Sequence, residues 1–208
     1  MSLPMSRFAD LTIAQFLDAV SSPTPTPGGG TVAATAGAMG AALLQMVARL
    51  PRTRTNSEDE RAALAVVSVD LLSLRTELLT LADLDSDAYD EVMRAFTLAK
   101  NSEAEKAVRK AAIQQALRAA TLVPLKTMQA MVSVLDVARQ VAAAGNPAAA
   151  SDIGVAVELI EAAFNGAAMN VRANLGGVDD DFRQKIQPDL DEAMARFSAA
   201  RVSKEAAF

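Results

Sequence analysis

Residues 23–39 read PTPTPGGGTVAATAGAM, a proline run followed by three glycines and then by small side chains. The prolines restrict the backbone conformations of the segment that leads to the glycines. Gly28, Gly29 and Gly30 let the backbone come close to a ligand or to another chain. We predict that a helix begins at Gly30 and ends at Leu50. The free N–H groups and positive dipole end of this helix are suited to bind an anion or a carbonyl oxygen.

This predicted helix is long and apolar enough to raise the question of a membrane span. Residues 31–48 carry no charge, but they are mostly Ala, Gly and Thr, they include Gln45, and Arg49 follows directly. We therefore expect a buried helix and no membrane partner, with close packing either inside the fold or at a dimer interface. The N-terminus lacks a basic region followed by an apolar run, so we expect no export signal and a cytoplasmic protein.

Composition narrows the fold class and the chemistry. The 208 residues are 51% apolar but only 4% aromatic, which favours closely packed helices in one domain spanning residues 1–208. The chain contains neither Cys nor His, which excludes disulfides, Ser-His triads, Cys nucleophiles and the usual zinc sites. Acid–base chemistry must then use Asp, Glu, Lys, Tyr or water. A net charge of −5 with scattered basic residues makes nucleic acid an unsuitable partner.

Capping and breaking residues predict an all-α, multihelical array with long helices. Two capping boxes, Ser57–Glu60 and Ser102–Glu105, open the longest of them, and Ser151 is predicted to cap a later one. The expected helices are a short one over 11–21, the glycine-opened helix, one from about 60 to 99 with a bend near 83–87, one from 102 to 144 interrupted at Pro124, one from 151 to 175, and a last pair over 179–186 and 188–206.

Asp85 breaks the apolar pattern of the third helix. At 100° per residue it falls at the centre of a stripe of apolar side chains, whereas Asp83 and Asp87 point away, so we predict that Asp85 is buried. A buried carboxylate needs a partner. It either caps a bend, pairs with Arg109 or Arg118, or serves catalysis. The stripe consists of Leu64, Val67, Leu71, Leu74, Leu78 and Leu81.

Three further polar residues stand on the fifth predicted helix. Asp152 lies in its first turn, where the helix dipole favours a carboxylate, and Asn170 and Asn174 are four residues apart on one face. The amides either tie neighbouring helices together or line a site. Asp152 and Asn170 are separated by about 27 Å of helix, so they serve different sites unless a symmetric dimer joins them.

Five ordered elements resemble the folate-dependent cyclodeaminase and cyclohydrolase family, between about Phe16 and Phe182. The glycine segment is similar to the family's P-x-P-G-G-G-[ST]-x-A-A. The other four elements are Asp85–Tyr89, similar to D-x-x-A-[FY]; Lys100-Asn101, similar to P-K-N; Ser151–Ala156, similar to S-D-x-x-[VA]-A; and Asn170–Asn174, similar to N-V-x-x-N.

The resemblance implies a folate one-carbon enzyme that acts on the carbon bridging N5 and N10 of tetrahydrofolate. Water adds to this bridge in a cyclohydrolase, and ammonia leaves from it in a cyclodeaminase; the sequence does not separate the two. The small side chains of residues 31–48 and the separation of Asp152 from Asn170 predict a homodimer, and the expected reaction requires no metal and no cofactor. The implied roles are catalysis by Asp85 and Asp152, substrate binding by Gly28, Gly29, Gly30 and Thr31, orientation by Asn170 and Asn174, and contact with the glutamate tail by Lys100 and Arg109.

The chain also departs from the family pattern. Ala48 stands where Cys is common, and residues 51–56 replace a Gly-Lys-Lys-x-Tyr-like element. Ala99 replaces the proline of P-K-N, and Gln115 stands where Glu is frequent. These departures keep a second hypothesis open, namely an inactive helical protein of the same fold that binds folate or another partner.

Overall fold

The computed structural model describes residues 7–200, which fold into six α-helices and, within that range, no strand. This confirms the all-α prediction. The helices are α1 (Ile13–Ser21), α2 (Gly29–Ala48), α3 (Glu58–Thr97), α4 (Glu103–Ala144), α5 (Ala150–Leu175) and α6 (Asp180–Ala200), with 3₁₀ turns at Phe8–Asp10 and Pro147–Ala149. The predicted end of the last helix, residues 201–206, lies outside the described residues.

Hydroxyl side chains begin the long helices. Ser102 accepts a hydrogen bond from the N–H of Glu105, whose side chain returns to the Ser102 backbone, so the predicted capping box at α4 is complete. At α3, Ser57 caps as predicted, but the Glu60 carboxylate turns instead to the Thr53 hydroxyl and the Thr55 N–H. These hydrogen bonds lower the pKa of Glu60.

Three of the predicted helix boundaries were wrong. Pro124 lies inside a continuous α4, and Pro188 lies inside a continuous α6, because a proline removes one backbone hydrogen bond without stopping a helix that is packed on its neighbours. Ser151 does not cap α5, because the turn Pro147–Ala149 starts the helix one residue earlier with Ala149 at the N-cap. The helix α3 runs without interruption through residues 83–87.

Helices α2 to α5 form an up-down-up-down four-helix bundle in which each helix packs on the next and α5 closes on α2. Thr31, at the start of α2, meets Ser86 late in α3, and Gln45 meets Ser68 earlier in α3, so these two helices are antiparallel. The helix α6 packs outside the bundle. It begins where the Asp179 carboxylate accepts from the Phe182 N–H, which confirms the predicted helix start there.

The helix α2 packs closely on its neighbours because its side chains are small. A Cβ on Gly37 would come within 2.3 Å of Met131 on α4, and one on Gly40 within 2.9 Å of Ile160 on α5. Although α2 has the length and hydropathy of a membrane span, most of it is buried against α3 and α5. The prediction of a buried helix is thus confirmed.

The helices α3 and α4 are about twice as long as α2. Their excess length forms a two-helix extension, which we call the arm, comprising residues 88–97 and 103–120. Its small apolar core contains Val92, Ala95, Ala116 and Ala120. The arm begins where α2 starts, and Asp85 lies at its base.

Candidate functional site

The carboxylate of Asp85 rests on the first turn of α2. A Cβ placed on Gly30 would lie 2.2 Å from Asp85 Oδ1, so the carboxylate occupies the space that any other residue would fill with its side chain. The Thr31 hydroxyl donates to Asp85 Oδ2 at 3.1 Å, and the Thr31 backbone N–H also donates to this carboxylate. The glycine-opened helix therefore receives a carboxylate from its own chain.

Asp85 is half-buried, whereas the sequence predicted a buried residue. Desolvation by burial raises the pKa of the Asp85 carboxyl, and the two Thr31 hydrogen bonds oppose that rise without cancelling it. Of the alternatives that the sequence left open, pairing with Arg109 or Arg118 is not formed. Arg118 pairs with Asp179, and Asp85 has no ion-pair partner among the described residues.

Both predicted amides lie on α5, close to this end of the bundle. Asn170 Nδ2 would be 3.7 Å from a Cβ on Gly29, which places the amide beside the glycines, and it donates to the Gly166 carbonyl at 2.9 Å. Asn174 Nδ2 donates to the Ala120 carbonyl of α4 at 2.8 Å. Asn174 thus ties two helices together, whereas Asn170 borders the glycine segment.

The structure places Asp152 at the opposite end of the bundle. Because α2 and α5 are antiparallel, Asn170 lies beside Gly29, Ile160 beside Gly40, and the first turn of α5 lies level with Val47. About 27 Å of helix separates Asp152 from Asn170, as the sequence predicted. Within one subunit, Asp152 and Asp85 therefore do not share a site.

Lys100 and Arg109 meet at the tip of the arm. They line a pocket of about 320 Å³ together with Lys106 and Lys110. Arg109 donates to the Phe96 carbonyl at 3.1 Å, and its guanidinium lies 5.6 Å from the centre of the Phe96 ring. The pocket holds four cations, of which Lys106 is paired with Glu103.

One polar residue of the site was missed by sequence reasoning. Ser86 is only 2% exposed, and its hydroxyl lies 3.0 Å from the Thr31 hydroxyl. It also borders a cleft of about 770 Å³ between α3 and the N-terminal segment, to which Phe8, Pro27 and Asp83 contribute. A single serine inside a helix does not stand out in the sequence. Ser86 could be recognised only once it was known that α3 packs on α2, because it then lies next to Asp85 on the side that faces α2.

The site combines a carboxylate of raised pKa with hydroxyl donors and backbone N–H groups. Such a carboxylate stabilises a nearby cation and exchanges a proton with a bound water or nitrogen. Among residues 7–200 the structure contains no group of three or more Asp or Glu side chains arranged to hold a metal ion. The chemistry that these residues themselves can supply is acid–base and electrostatic.

The fold and the site define a class of helical bundle protein in which a carboxylate is seated on a helix that opens with glycines. Residues 12–192 match the formiminotransferase-cyclodeaminase family. The chain belongs to this family.

Relatives in this family share most of the chain. It is 42% identical over 189 residues to a methenyltetrahydrofolate cyclohydrolase of Methylorubrum extorquens, covering 90% of this chain and 91% of that one. It is 35% identical over 183 residues to the formimidoyltransferase-cyclodeaminase of Sus scrofa, covering 86% of this chain and 34% of that longer protein. The crystal structure of formiminotetrahydrofolate cyclodeaminase from Thermotoga maritima superposes with a TM-score of 0.82 at 31% identity, covering 96% of this chain and 94% of that one.

Proposed function

We propose that this protein hydrolyses the one-carbon bridge between N5 and N10 of methenyltetrahydrofolate. The broader statement, a tetrahydrofolate-dependent enzyme of one-carbon metabolism, is supported by relatives named for cyclohydrolase and cyclodeaminase activity. The choice of hydrolysis is supported by the 42% identity to a cyclohydrolase along nearly the full length of both chains. Loss of ammonia from formiminotetrahydrofolate is the alternative reaction.

The observation that carries the proposal is the Asp85 carboxylate on Gly30. In the methenyl substrate, the bridging carbon shares a positive charge with both nitrogens, and a carboxylate beside it stabilises that charge. Asp85 then accepts a proton from the attacking water, so that a C–O bond forms. As one C–N bond breaks, the departing nitrogen keeps the electron pair and takes the proton of the newly added hydroxyl, which becomes the formyl C=O, while the proton held by Asp85 is released. The products are the formyl compound and one released proton, which balances the charge.

The neighbouring groups have binding roles in this proposal. Backbone N–H groups of Gly28, Gly29 and Gly30, together with the Thr31 hydroxyl, hold polar atoms of the substrate at the start of α2. Asn170, beside Gly29, orients a polar edge of the pterin ring, and the tie between Asn174 and α4 keeps the end of α5 in position. No metal and no cofactor take part.

The arm offers a path for the rest of the substrate. Tyr89 and Phe96 follow Asp85 along one side of α3 and are both exposed, and Phe96 lies about 17 Å beyond Asp85 by the helical rise. Lys100 and Arg109 then meet the carboxylates of the glutamate tail. The distance between Asp85 and these cations therefore matches a long substrate whose reacting bridge lies at one end and whose carboxylates lie at the other.

We also propose a homodimer in which the partner contributes Asp152. Val32, Met39 and Met46 recur at intervals of seven along the outer side of α2 and are 39%, 57% and 39% exposed. If two copies meet through these side chains with antiparallel α2 helices and Met39 at the two-fold axis, Val47 of one copy lies level with Thr31 of the other. The partner subunit's Asp152, level with Val47, would then approach Asn170.

Within one subunit, Ala48 and residues 51–56 lie far from Asp85, whereas Ala99 follows the end of α3 and Gln115 lies in the arm. Ala48 is the last residue of α2, and residues 51–56 follow it at the end of the bundle that carries Asp152. The Asp85 end keeps its glycines, its carboxylate and its amide, which supports an active enzyme. In the proposed dimer Arg49 would come near the partner's site and supply positive charge there. We place this activity in the cytoplasm.

One assay distinguishes the hypotheses. The purified protein is mixed with methenyltetrahydrofolate and, separately, with formiminotetrahydrofolate, while absorbance of the methenyl form and release of ammonia are followed. Loss of methenyl absorbance without ammonia release from the second substrate supports the cyclohydrolase. Ammonia release from formiminotetrahydrofolate supports the cyclodeaminase. Folate binding without turnover of either substrate supports the inactive binding protein.

A further inference from the structure

Three side-chain oxygens form a continuous line across the interface of α2 and α3. Ser86 Oγ lies 3.0 Å from Thr31 Oγ1, and Thr31 Oγ1 lies 3.1 Å from Asp85 Oδ2. Thr31 is fully buried, and Ser86 is nearly so. Buried hydroxyls need partners, so the arrangement of their hydrogens is restricted.

The donors can be assigned by counting hydrogens. An ionised carboxylate only accepts, so the single hydrogen of the Thr31 hydroxyl points to Asp85. The hydrogen between Ser86 and Thr31 must then belong to Ser86. The hydrogen bond from Ser86 polarises the Thr31 hydroxyl, and this strengthens the hydrogen bond from Thr31 to Asp85. The effect is largest when Asp85 is ionised.

The Thr31 hydroxyl is directed differently from those of threonines inside the helices, because Thr31 is the third residue of α2 and the residue four positions earlier lies before that helix. The hydroxyls of five other helical threonines, namely Thr35, Thr76, Thr80, Thr121 and Thr127, donate to the carbonyl four residues earlier in their own helix. Threonine has two accessible χ1 rotamers in a helix, because in one of them its hydroxyl can form that hydrogen bond. The hydroxyl of Thr31 instead points across to α3, where Asp85 and Ser86 are its partners.

We propose that Ser86 is a positioning residue that holds the Thr31 hydroxyl on Asp85 and so fixes the carboxylate at the start of α2. The proposal deepens the proposed function, on which its kinetic readout rests. Ser86 itself contacts neither the bridge carbon nor the attacking water. It acts only through Thr31.

The test uses the full-length protein with Ser86→Ala, Thr31→Val and the double variant. Ser86→Ala is expected to lower kcat/KM several-fold and to move the acid limb of its pH profile upward by about 0.5 pH unit, because the ionised carboxylate loses support. In the Thr31→Val background, Ser86→Ala should change neither quantity further. Ser86→Thr, which keeps a hydroxyl, should restore the limb. Ser73→Ala, an exposed serine of the same helix, is the matched control.

A second measurement needs no substrate. The pKa of Asp85, followed by NMR of its carboxyl carbon, should rise in Ser86→Ala and remain unchanged in Ser73→Ala. Gly30 and Thr31, which contact Asp85 from α2, are uncharged, and so is Asn170, which lies beside Gly29 on α5. Asp83, on another side of α3, accepts from the Phe8 N–H and lies 3.8 Å from the Arg7 guanidinium. An unchanged Asp85 pKa in Ser86→Ala, or an equal kinetic effect with and without the Thr31 hydroxyl, would overturn the proposal. Absence of turnover in the wild type would instead reject the proposed function and leave the NMR result to decide on Ser86.

Discussion

Asp85 is the residue on which the proposed chemistry depends, and its amide variant separates charge from shape. Asp85→Asn can still accept from Thr31, but it carries no charge and takes no proton. We expect kcat to fall by about 100-fold or more, in the range typical of a lost general base. Steady-state turnover of methenyltetrahydrofolate measures this effect. Asp83→Asn is the control, because Asp83 lies elsewhere on α3, where its carboxylate accepts a hydrogen bond from the Phe8 N–H. Wild-type rates in Asp85→Asn would remove Asp85 from the reaction.

The same variant should show that Asp85 is not needed for folding. Because burial raises its pKa in the folded state, protonated Asp85 contributes stability below the ordinary pKa of a free Asp, and this contribution is lost as pH rises through the folded pKa. At neutral pH the ionised carboxylate is therefore a cost that asparagine avoids. We expect Asp85→Asn to melt at a higher temperature than the wild type at neutral pH, with the difference shrinking towards about pH 4. A lower melting temperature at neutral pH would contradict this reasoning.

Gly30 and Gly29 are neighbouring glycines with different surroundings. A Cβ on Gly30 would overlap the Asp85 carboxylate, whereas one on Gly29 would have Asn170 Nδ2 as its nearest neighbour at 3.7 Å. Gly30→Ala is expected to displace the carboxylate and lower kcat/KM by about tenfold or more, since small misplacements of a reacting group are costly. Gly29→Ala should lose clearly less, because a Cβ there makes only an ordinary van der Waals contact. Comparable losses in both variants would show that flexibility of the turn, rather than close approach, is what matters.

At the scale of elements, the arm separates the two ends of the proposed substrate. Lys100→Ala should weaken folates with long glutamate tails more than monoglutamates, several-fold at low salt, because an exposed charge pair contributes about 1 kcal/mol at most and salt screens it. The value of kcat should hardly change, since this contact is equal in the ground and transition states. Lys126→Ala, an exposed lysine of α4 outside the arm, controls for net charge. A fall in kcat at unchanged KM would place Lys100 beside the reacting bridge.

The elements also show which local signals are reliable. Capping residues such as Ser102 were correctly recognised because their hydrogen bonds involve only neighbouring residues. Pro124 and Pro188 were taken as breaks because a local rule was applied to helices that packing sustains. Pairing of Arg109 with Asp85 was one of the alternatives, and the length of α3 between Asp85 and Phe96 keeps the two apart. Local rules therefore held for the caps at Ser57 and Ser102. They failed for Ser151, where a preceding turn starts the helix earlier, and for the two prolines, where tertiary contacts compete with them.

At the scale of the whole molecule, the exposed seam of α2 is the proposed dimer interface. Met39→Lys places a charge at its centre, so we expect the protein to become monomeric in sedimentation and to lose most of its turnover, because each site would lack the partner subunit's Asp152. Val66→Lys is the matched control: Val66 is 63% exposed on α3, about 200° around the helix from Ser68, which contacts α2. A Met39→Lys monomer with full turnover would reject the shared site.

Mixing two inactive variants tests the shared site directly. Asp85→Asn and Asp152→Asn should each be inactive alone, since each removes one carboxylate from every site. If subunits exchange at random, half of the dimers are mixed, and each of these contains one intact site, so about a quarter of wild-type activity should return. No recovery despite proven exchange would indicate that the two carboxylates do not act in one composite site.

The sequence by itself determined the helical class, the buried character of the glycine-opened helix and the polar residues worth attention. These features follow from periodicity, composition and capping, which act over a few residues. That Asp85 lies on Gly30, that Ser86 completes the line through Thr31, and that Arg109 belongs to the arm were decided only by the tertiary structure. Residues 30 and 85 are distant in the chain, and their contact depends on the antiparallel register of α2 and α3, which arises from the packing of small side chains against large ones and from no local pattern.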